Sequence, residues 1–160
     1  MISVVRKTRL LIMGPSFRRN ENMTPIPALK RYEGLLFRVA RANLTNLRDV
    51  EVLVMKDDLT LVDSRTLLPY SHPEGYTWSK YHIPKEVIPD AKKRNERTLV
   101  RKLGKGNCSE VFIAMGKKYA ESLPDVSWIA RTFSIKVHFP IGRGPGDKAQ
   151  ALKEWLRMTT

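Results

Sequence analysis

The sequence predicts an α/β fold: one three-layer α/β/α domain over residues 1–160, with a mostly parallel sheet and an irregular aromatic-rich insertion at about residues 57–83. Three observations lead there. Short, wholly apolar runs such as Val52 to Met55 and Val111 to Met115 suit strands covered on both faces, as parallel sheets require. A segment of helical period separates the run Leu10 to Met13 from Val52 to Met55, which makes a strand, helix and strand unit with a right-handed crossover. Size is the third: a chain of 160 residues, 42% hydrophobic, buries roughly 70% of its unfolded surface in a single core.

Taken in order, Leu10 to Met13 reads as a buried strand that ends at the turn Gly14-Pro15-Ser16. Arg6, Lys7 and Arg9 interrupt the apolar start and no small-residue cleavage site follows, so a strand is expected there and not a signal peptide. Pro25 and Pro27 keep Thr24 and Ile26 extended. A helix is predicted from Pro27, its apolar stripe formed by Leu29, Tyr32, Leu35, Leu36, Val39, Ala40 and Asn43. Gly34 inside it costs about 1 kcal/mol relative to Ala, which implies close approach by another backbone. Asp49 to Lys56 holds the β-branched run of a central strand, and Asp57 to Ile83 reads as irregular, its aromatic residues fixing it to the domain. Pro84 to Leu103 is a strongly basic helical region that Pro89 kinks or restarts. Glu110 to Met115 is a third buried strand, Lys117 to Leu123 a short helix, and Ser134 to Phe139 an alternating strand with one wet face. Asp147 to Met158 closes the chain as a helix, with Asp147 and Gln150 as its capping pair and Leu152, Trp155 and Leu156 on its core side.

Charge narrows the partner. Lys and Arg number 29 against 16 Asp and Glu, a formal charge of +13 spread from Arg6 to Arg157 and not gathered in a tail. Such a field attracts phosphate backbones by counterion release, so DNA or RNA is the expected partner, with an acidic protein as the alternative. No apolar run approaches the roughly 20 residues that cross a bilayer, and no membrane role is expected. Cys108 is the single cysteine, which excludes an intramolecular disulfide and a cysteine zinc cluster and suits a reducing, cytoplasmic setting. His72, His82 and His138 lack metal-ligand spacing, so no metal is expected. The turn at Gly142, Gly144 and Gly146 follows a strand and opens a helix, a setting for an anion that Arg143 would reinforce. Its spacing fits neither the dinucleotide fingerprint nor a P-loop, and no cofactor is expected.

Several groups fall at the carboxyl edge of the expected sheet, where open α/β sheets place their ligand crevice. Ser16, Arg18 and Arg19 follow the first strand, without the elbow a nucleophilic serine needs. Asp57 and Asp58 follow the second, where adjacent carboxylates can act as a general base or hold Mg²⁺, or simply cap a turn. Tyr70, Tyr76 and Trp78, with Tyr81, can stack on unpaired bases or glue the insertion to the core. Lys92, Lys93, Arg94, Arg97, Arg101 and Lys102, continuing to Lys105, form the strongest phosphate-binding segment, opposed by Glu96 alone.

In their order, Pro27-Ala28, Tyr32-Glu33-Gly34-Leu35-Leu36-Phe37-Arg38, Leu61-Val62 with Leu68-Pro69-Tyr70, Gly116-Lys117-Lys118-Tyr119 and Leu152-Lys153-Glu154-Trp155-Leu156 span most of the chain. This order resembles the uracil-DNA-glycosylase-like α/β domain that accompanies archaeal tRNA-guanine transglycosylases and archaeosine synthases, and more loosely the YaaA-like proteins. Where that family has Cys-Ser and a lysine after its first strand, this chain has Gly14-Pro15-Ser16. The family's Ser-Ala-Lys-Tyr-Gly-Leu element stands here as Lys56-Asp57-Asp58-Leu59-Thr60-Leu61. The resemblance implies the fold more than the activity, as expected of a binding-only member. The expected function is nucleic-acid binding without catalysis. The alternative is a nucleobase-processing enzyme, glycosylase-like or transglycosylase-like, in which Asp57 or Asp58 activates a water or the base.

Overall fold

The computed structural model describes residues 7–44, 49–71, 83–140 and 144–158. β1 (Thr8–Met13) leads through β2 (Ile26–Pro27), α1 (Ala28–Arg31) and α2 (Leu35–Asn43) to β3 (Val50–Met55). Next come β4 (Leu61–Asp63), β5 (Leu67–Leu68), α3 (Ile88–Leu103), β6 (Cys108–Ala114) and α4 (Lys117–Ala120). The chain ends with α5 (Val126–Thr132), β7 (Lys136–His138) and α6 (Pro145–Arg157). The main sheet is five-stranded, in the order β4-β3-β1-β6-β7. β1 pairs in parallel with β3 and β6, and β6 with β7, while β4 runs antiparallel to β3. The mostly parallel α/β architecture read from the apolar runs is therefore present.

Strand side chains alternate between faces, and the core splits accordingly. Leu10, Ile12, Leu53, Met55, Val111 and Ile113 join Leu99 and Leu103 of α3 and Ile129 of α5 on one side. Leu11, Met13, Val54 and Phe112 join Phe37 of α2 and Leu152 and Leu156 of α6 on the other. Helices thus cover both faces, in three layers. The chain leaves β1 toward β3 by way of α2 and leaves β6 toward β7 by way of α5, so the winding direction reverses between β1 and β6. Those strand ends meet closely: a Cβ added to Gly14 would lie 2.6 Å from Met115 Cβ.

The helix predicted from Pro27 to Asn43 is two helices. Tyr32 is extended, with φ −89° and ψ 137°, and Gly34 caps α2. The break has a local cause. Tyr32 pairs with Arg19 as an isolated antiparallel bridge, and the Glu33 amide donates to the Arg18 carbonyl at 2.8 Å. The loop after β1 therefore claims the amides that a continuous helix would use. The new phase places Phe37 in the core and leaves Leu35 40% exposed. What approaches Gly34 is the Ser16 side chain, whose Cβ would lie 2.8 Å from a Cβ there.

Other differences are smaller. The stretch expected to be irregular from Asp57 carries β4 on the main sheet and β5 paired with β2. α4 ends at Ala120, earlier than Leu123, and the buried Leu123 amide donates in a turn to Ala120. α5 has no counterpart in the sequence reading. Asp125 caps it, accepting the Trp128 amide at 3.1 Å, and Ser134 at φ 57° ends it, with the Ile135 amide returning to the Ala130 carbonyl at 2.7 Å. Gly144, at φ 143°, caps α6 in place of Asp147, and Gln150 donates to Glu154 at 3.0 Å instead of pairing with Asp147.

Candidate functional site

Beyond the carboxyl end of β3, the loops after β1 and β3 enclose a cavity of about 270 Å³ whose walls include Arg19, Arg31, Tyr32, Asp57, Asp58 and Leu68. Arg19 forms its inner wall. Its side chain is 2% exposed and grips Asp57 with both terminal nitrogens, Nη2 meeting Oδ1 at 2.6 Å. It also donates to the Ser71 carbonyl and lies over the Tyr32 ring, 5.0 Å from its centre. Fork-to-fork pairing of this kind fixes both partners, because two parallel charge-assisted bonds allow one orientation.

Arg31 is 1% exposed and has no carboxylate partner among the described residues. It is held by carbonyl oxygens instead. Nη1 donates to Asn20 at 2.6 Å and Asn22 at 2.8 Å, Nη2 to Thr24 at 2.8 Å and Leu68 at 3.0 Å, and Nε to Leu68 at 3.3 Å. Burial lowers its pKa from the ordinary arginine value, and the nearby Arg19 charge adds to the shift. The guanidinium organises the 20–24 loop by supplying donors that loop carbonyls would otherwise lack.

The candidate catalytic groups are built into the same loops. Ser16 Oγ donates to the Arg18 carbonyl at 2.8 Å and accepts the Gly34 amide at 3.2 Å. Asp58 Oδ1 accepts the Thr60 amide at 3.0 Å, closing a turn over Leu59, which is buried with φ 69°. Lys56 Nζ stands 3.4 Å from its other oxygen. Asp57 is committed to Arg19, so all three side chains hold loop backbone or a buried cation. Arg19 belongs to the loop interior and not to an exposed basic surface; Arg18 is exposed. Tyr70 packs near Arg31, whose guanidinium carbon lies 5.7 Å from the ring centre, as expected of a residue that fixes the loop. His72, Tyr76, Trp78, Tyr81, His82, Gly142 and Arg143 lie outside the described residues.

α3 packs on one face of the sheet. It buries Ala91, Asn95, Leu99 and Leu103, a line that repeats every fourth residue against the sheet. Its amino end stands at the carboxyl edge, where Arg94 donates to the Asp58 carbonyl at 3.2 Å. Its far end stands at the amino edge, where Lys102 pairs with Glu51 at 2.9 Å. Arg94 and Lys102, two of the cations assigned to the phosphate-binding segment, are thus half-buried and engaged within the protein. Lys92, Lys93, Arg97, Arg101 and Lys105 are exposed and make no ion pair among the described residues. The basic helix therefore reaches the carboxyl edge only through its first turns and carries its free charge along the height of the domain.

Two residues that position this surface escaped the sequence reading. Asn95, fully buried, accepts the Leu61 amide at 3.1 Å and donates to the Leu59 and Ser122 carbonyls at 2.8 and 2.9 Å. It ties α3 to β4 and to the segment after α4. Its place on the line through Ala91, Leu99 and Leu103 was the available signal. Arg31 had none, because a buried arginine bound only to carbonyls looks in sequence like any surface arginine. Among the described residues no group of His, Cys, Asp and Glu could hold a metal ion, and no helix is long and apolar enough to cross a membrane. The chain matches no protein-family model, no curated protein and no solved structure, so its own geometry carries the functional reading.

Proposed function

We propose that this protein binds nucleic acid by its phosphate backbone, without catalysis, through the outward side of α3. The observation that carries the reading is the row Lys93, Arg97 and Arg101, spaced every fourth residue opposite the buried line and free of carboxylate partners among the described residues. Such a row spans roughly 12 Å at 1.5 Å per residue, enough to follow several phosphates of one strand. The net charge of +13 supplies the long-range attraction that brings a polyanion to it. Ser16, Asp57 and Asp58 support a binding role because their hydrogen-bonding capacity is used within the protein.

The nucleobase-processing alternative, which the family resemblance implies, rests on the cavity of about 270 Å³ beside Asp57 and Asp58. It needs a carboxylate released from Arg19 or from the Thr60 turn to take a proton.

The test is binding to labelled single- and double-stranded DNA and RNA, titrated with salt. Affinity should fall steeply between about 50 and 200 mM salt. Reversing Lys93, Arg97 and Arg101 to Glu together should weaken every ligand and flatten the log–log salt slope by about 3. Salt-insensitive or absent binding would remove the reading, and preference for an acidic protein in competition would replace it with an adaptor role. Base release that Asp57→Asn abolishes would promote the enzyme.

A further inference from the structure

We propose that the nucleic acid is single-stranded and that its bases stack on Trp128 and Phe133, two aromatic residues exposed in the same helical layer as the basic row. The inference rests on the nucleic-acid reading above and narrows it to one form of ligand.

α3 and α5 cover the same face of the sheet, since Leu99, Leu103, Ile129 and Ala130 share one core cluster. Turning 100° per residue, α5 directs Val126, Ile129 and Ala130 inward, which sends Trp128 and Arg131 outward. The Asp125 cap fixes that phase by holding the Trp128 amide. Trp128 is 57% exposed, an unusual position for a side chain that is among the most buried on average. Phe133, at the end of α5, is 36% exposed and sits against the end of α3: a Cβ added to Gly104 would lie 3.7 Å from its Cζ. Arg101 and Lys105 flank that glycine in the chain, and both are exposed.

The outer face of this layer therefore combines Lys93, Arg97, Arg101 and Arg131 with two aromatic rings and the 41% exposed Val100. Asp90 and Glu96 are the exposed acids on α3, one in its first turn and one beside the row. Cations alone would serve a duplex equally well. Exposed rings serve only a ligand whose base faces are open, because in a duplex those faces are stacked on one another. Stacking tolerates any base, which suits a surface that offers rings and charge. A second apolar protein would be a poorer match, since the cations would have to be desolvated without partners.

The experiment compares the full chain with Trp128→Ala and Phe133→Ala, using a 12-nucleotide oligothymidine and a 12-base-pair duplex at two salt concentrations. The single strand should bind more tightly than the duplex. Each substitution should weaken oligothymidine binding about tenfold, while the salt slope stays that of the unaltered protein, because stacking displaces no counterions. Tryptophan emission supplies a readout independent of Phe133: in a Trp78→Phe background oligothymidine should quench it, and adding Trp128→Phe should remove most of that quenching, since Trp155, the third tryptophan, is only 3% exposed. Salt-dependent binding that neither substitution alters, or equal affinity for the duplex, overturns this inference and leaves the phosphate-binding reading intact. Absence of salt-dependent binding to either ligand overturns both.

Discussion

Two buried arginines show how a chain with so much positive charge organises its loops. Arg19 is bound by the Asp57 carboxylate, whereas among the described residues every hydrogen bond of the Arg31 guanidinium goes to a carbonyl oxygen. Removing Asp57's charge takes the bidentate carboxylate from buried Arg19, so Asp57→Asn should cost about 3 kcal/mol in urea unfolding. Asp58→Asn, whose carboxylate is 60% exposed and closes a surface turn, should cost less than about 1 kcal/mol. Equal costs would mean that the Arg19 fork contributes nothing special. Arg31→Ala strips donors from four carbonyls and should destabilise by about 3 kcal/mol or more in the same assay. Cys108 gives a pH signature. Burial is the main cause that pushes its thiol from 9.0 up to about 11, so between those values the unfolded chain ionises while the folded one keeps its proton. Stability should then fall as pH rises from about 9 to about 11, by roughly 2 kcal/mol, and remain unaffected by this group below that window. At pH 8 its thiolate, and with it the alkylation rate, should be about 100-fold lower in the native protein than in urea.

At the level of elements, the decisive joint is the break between α1 and α2. Gly34 caps α2 with Ser16 packed on it, and a methyl group there would overlap Ser16 Cβ at 2.8 Å. Gly34→Ala should therefore destabilise by about 1–3 kcal/mol, and adding Ser16→Gly should recover most of the loss; a double-mutant cycle without coupling would place the strain elsewhere. The same joint marks where sequence patterning stops being informative. The stripe from Leu29 to Asn43 fits one helix by period alone, but the Arg18–Glu33 and Arg19–Tyr32 pairings are contacts between segments more than ten residues apart, and no local pattern announces them. β1, β3 and β6 were legible because strands covered on both faces must be apolar throughout. β4 was not, since Leu61-Val62-Asp63 is short and its pairing depends on β3 being in place. The basic row on α3 was legible as composition, yet only the buried line through Asn95 separates its free cations from Arg94 and Lys102. α5 hid for the reason that makes it interesting: an outward Trp128 blurs the contrast between apolar and polar sides on which helix recognition depends.

For the whole molecule, charge acts on folding and on binding in opposite directions. A net +13 on one domain repels itself, and that repulsion is strongest when the Debye length, about 30 Å at 0.01 M salt, reaches across the protein. At about 0.15 M the length shrinks to about 8 Å and distant like charges no longer feel one another. Ion pairs weaken as well, but the Arg19–Asp57 pair is shielded by burial and pairs such as Arg65–Asp63 are too exposed to contribute much. The free protein should therefore melt at higher temperature as salt rises over this range. With a saturating polyanion the trend should reverse. A ligand at about 100 times its Kd adds about 2.7 kcal/mol, which for a chain of this size raises Tm by roughly 5–10 °C. That increment disappears as salt weakens phosphate contacts. Melting curves of the free protein and of its oligothymidine mixture, measured across the same salt series, should converge from opposite sides. A free protein that loses stability on adding salt would instead mean that attractive pairs outweigh self-repulsion, and that the surface cations answer one another's acids instead of standing ready for a partner.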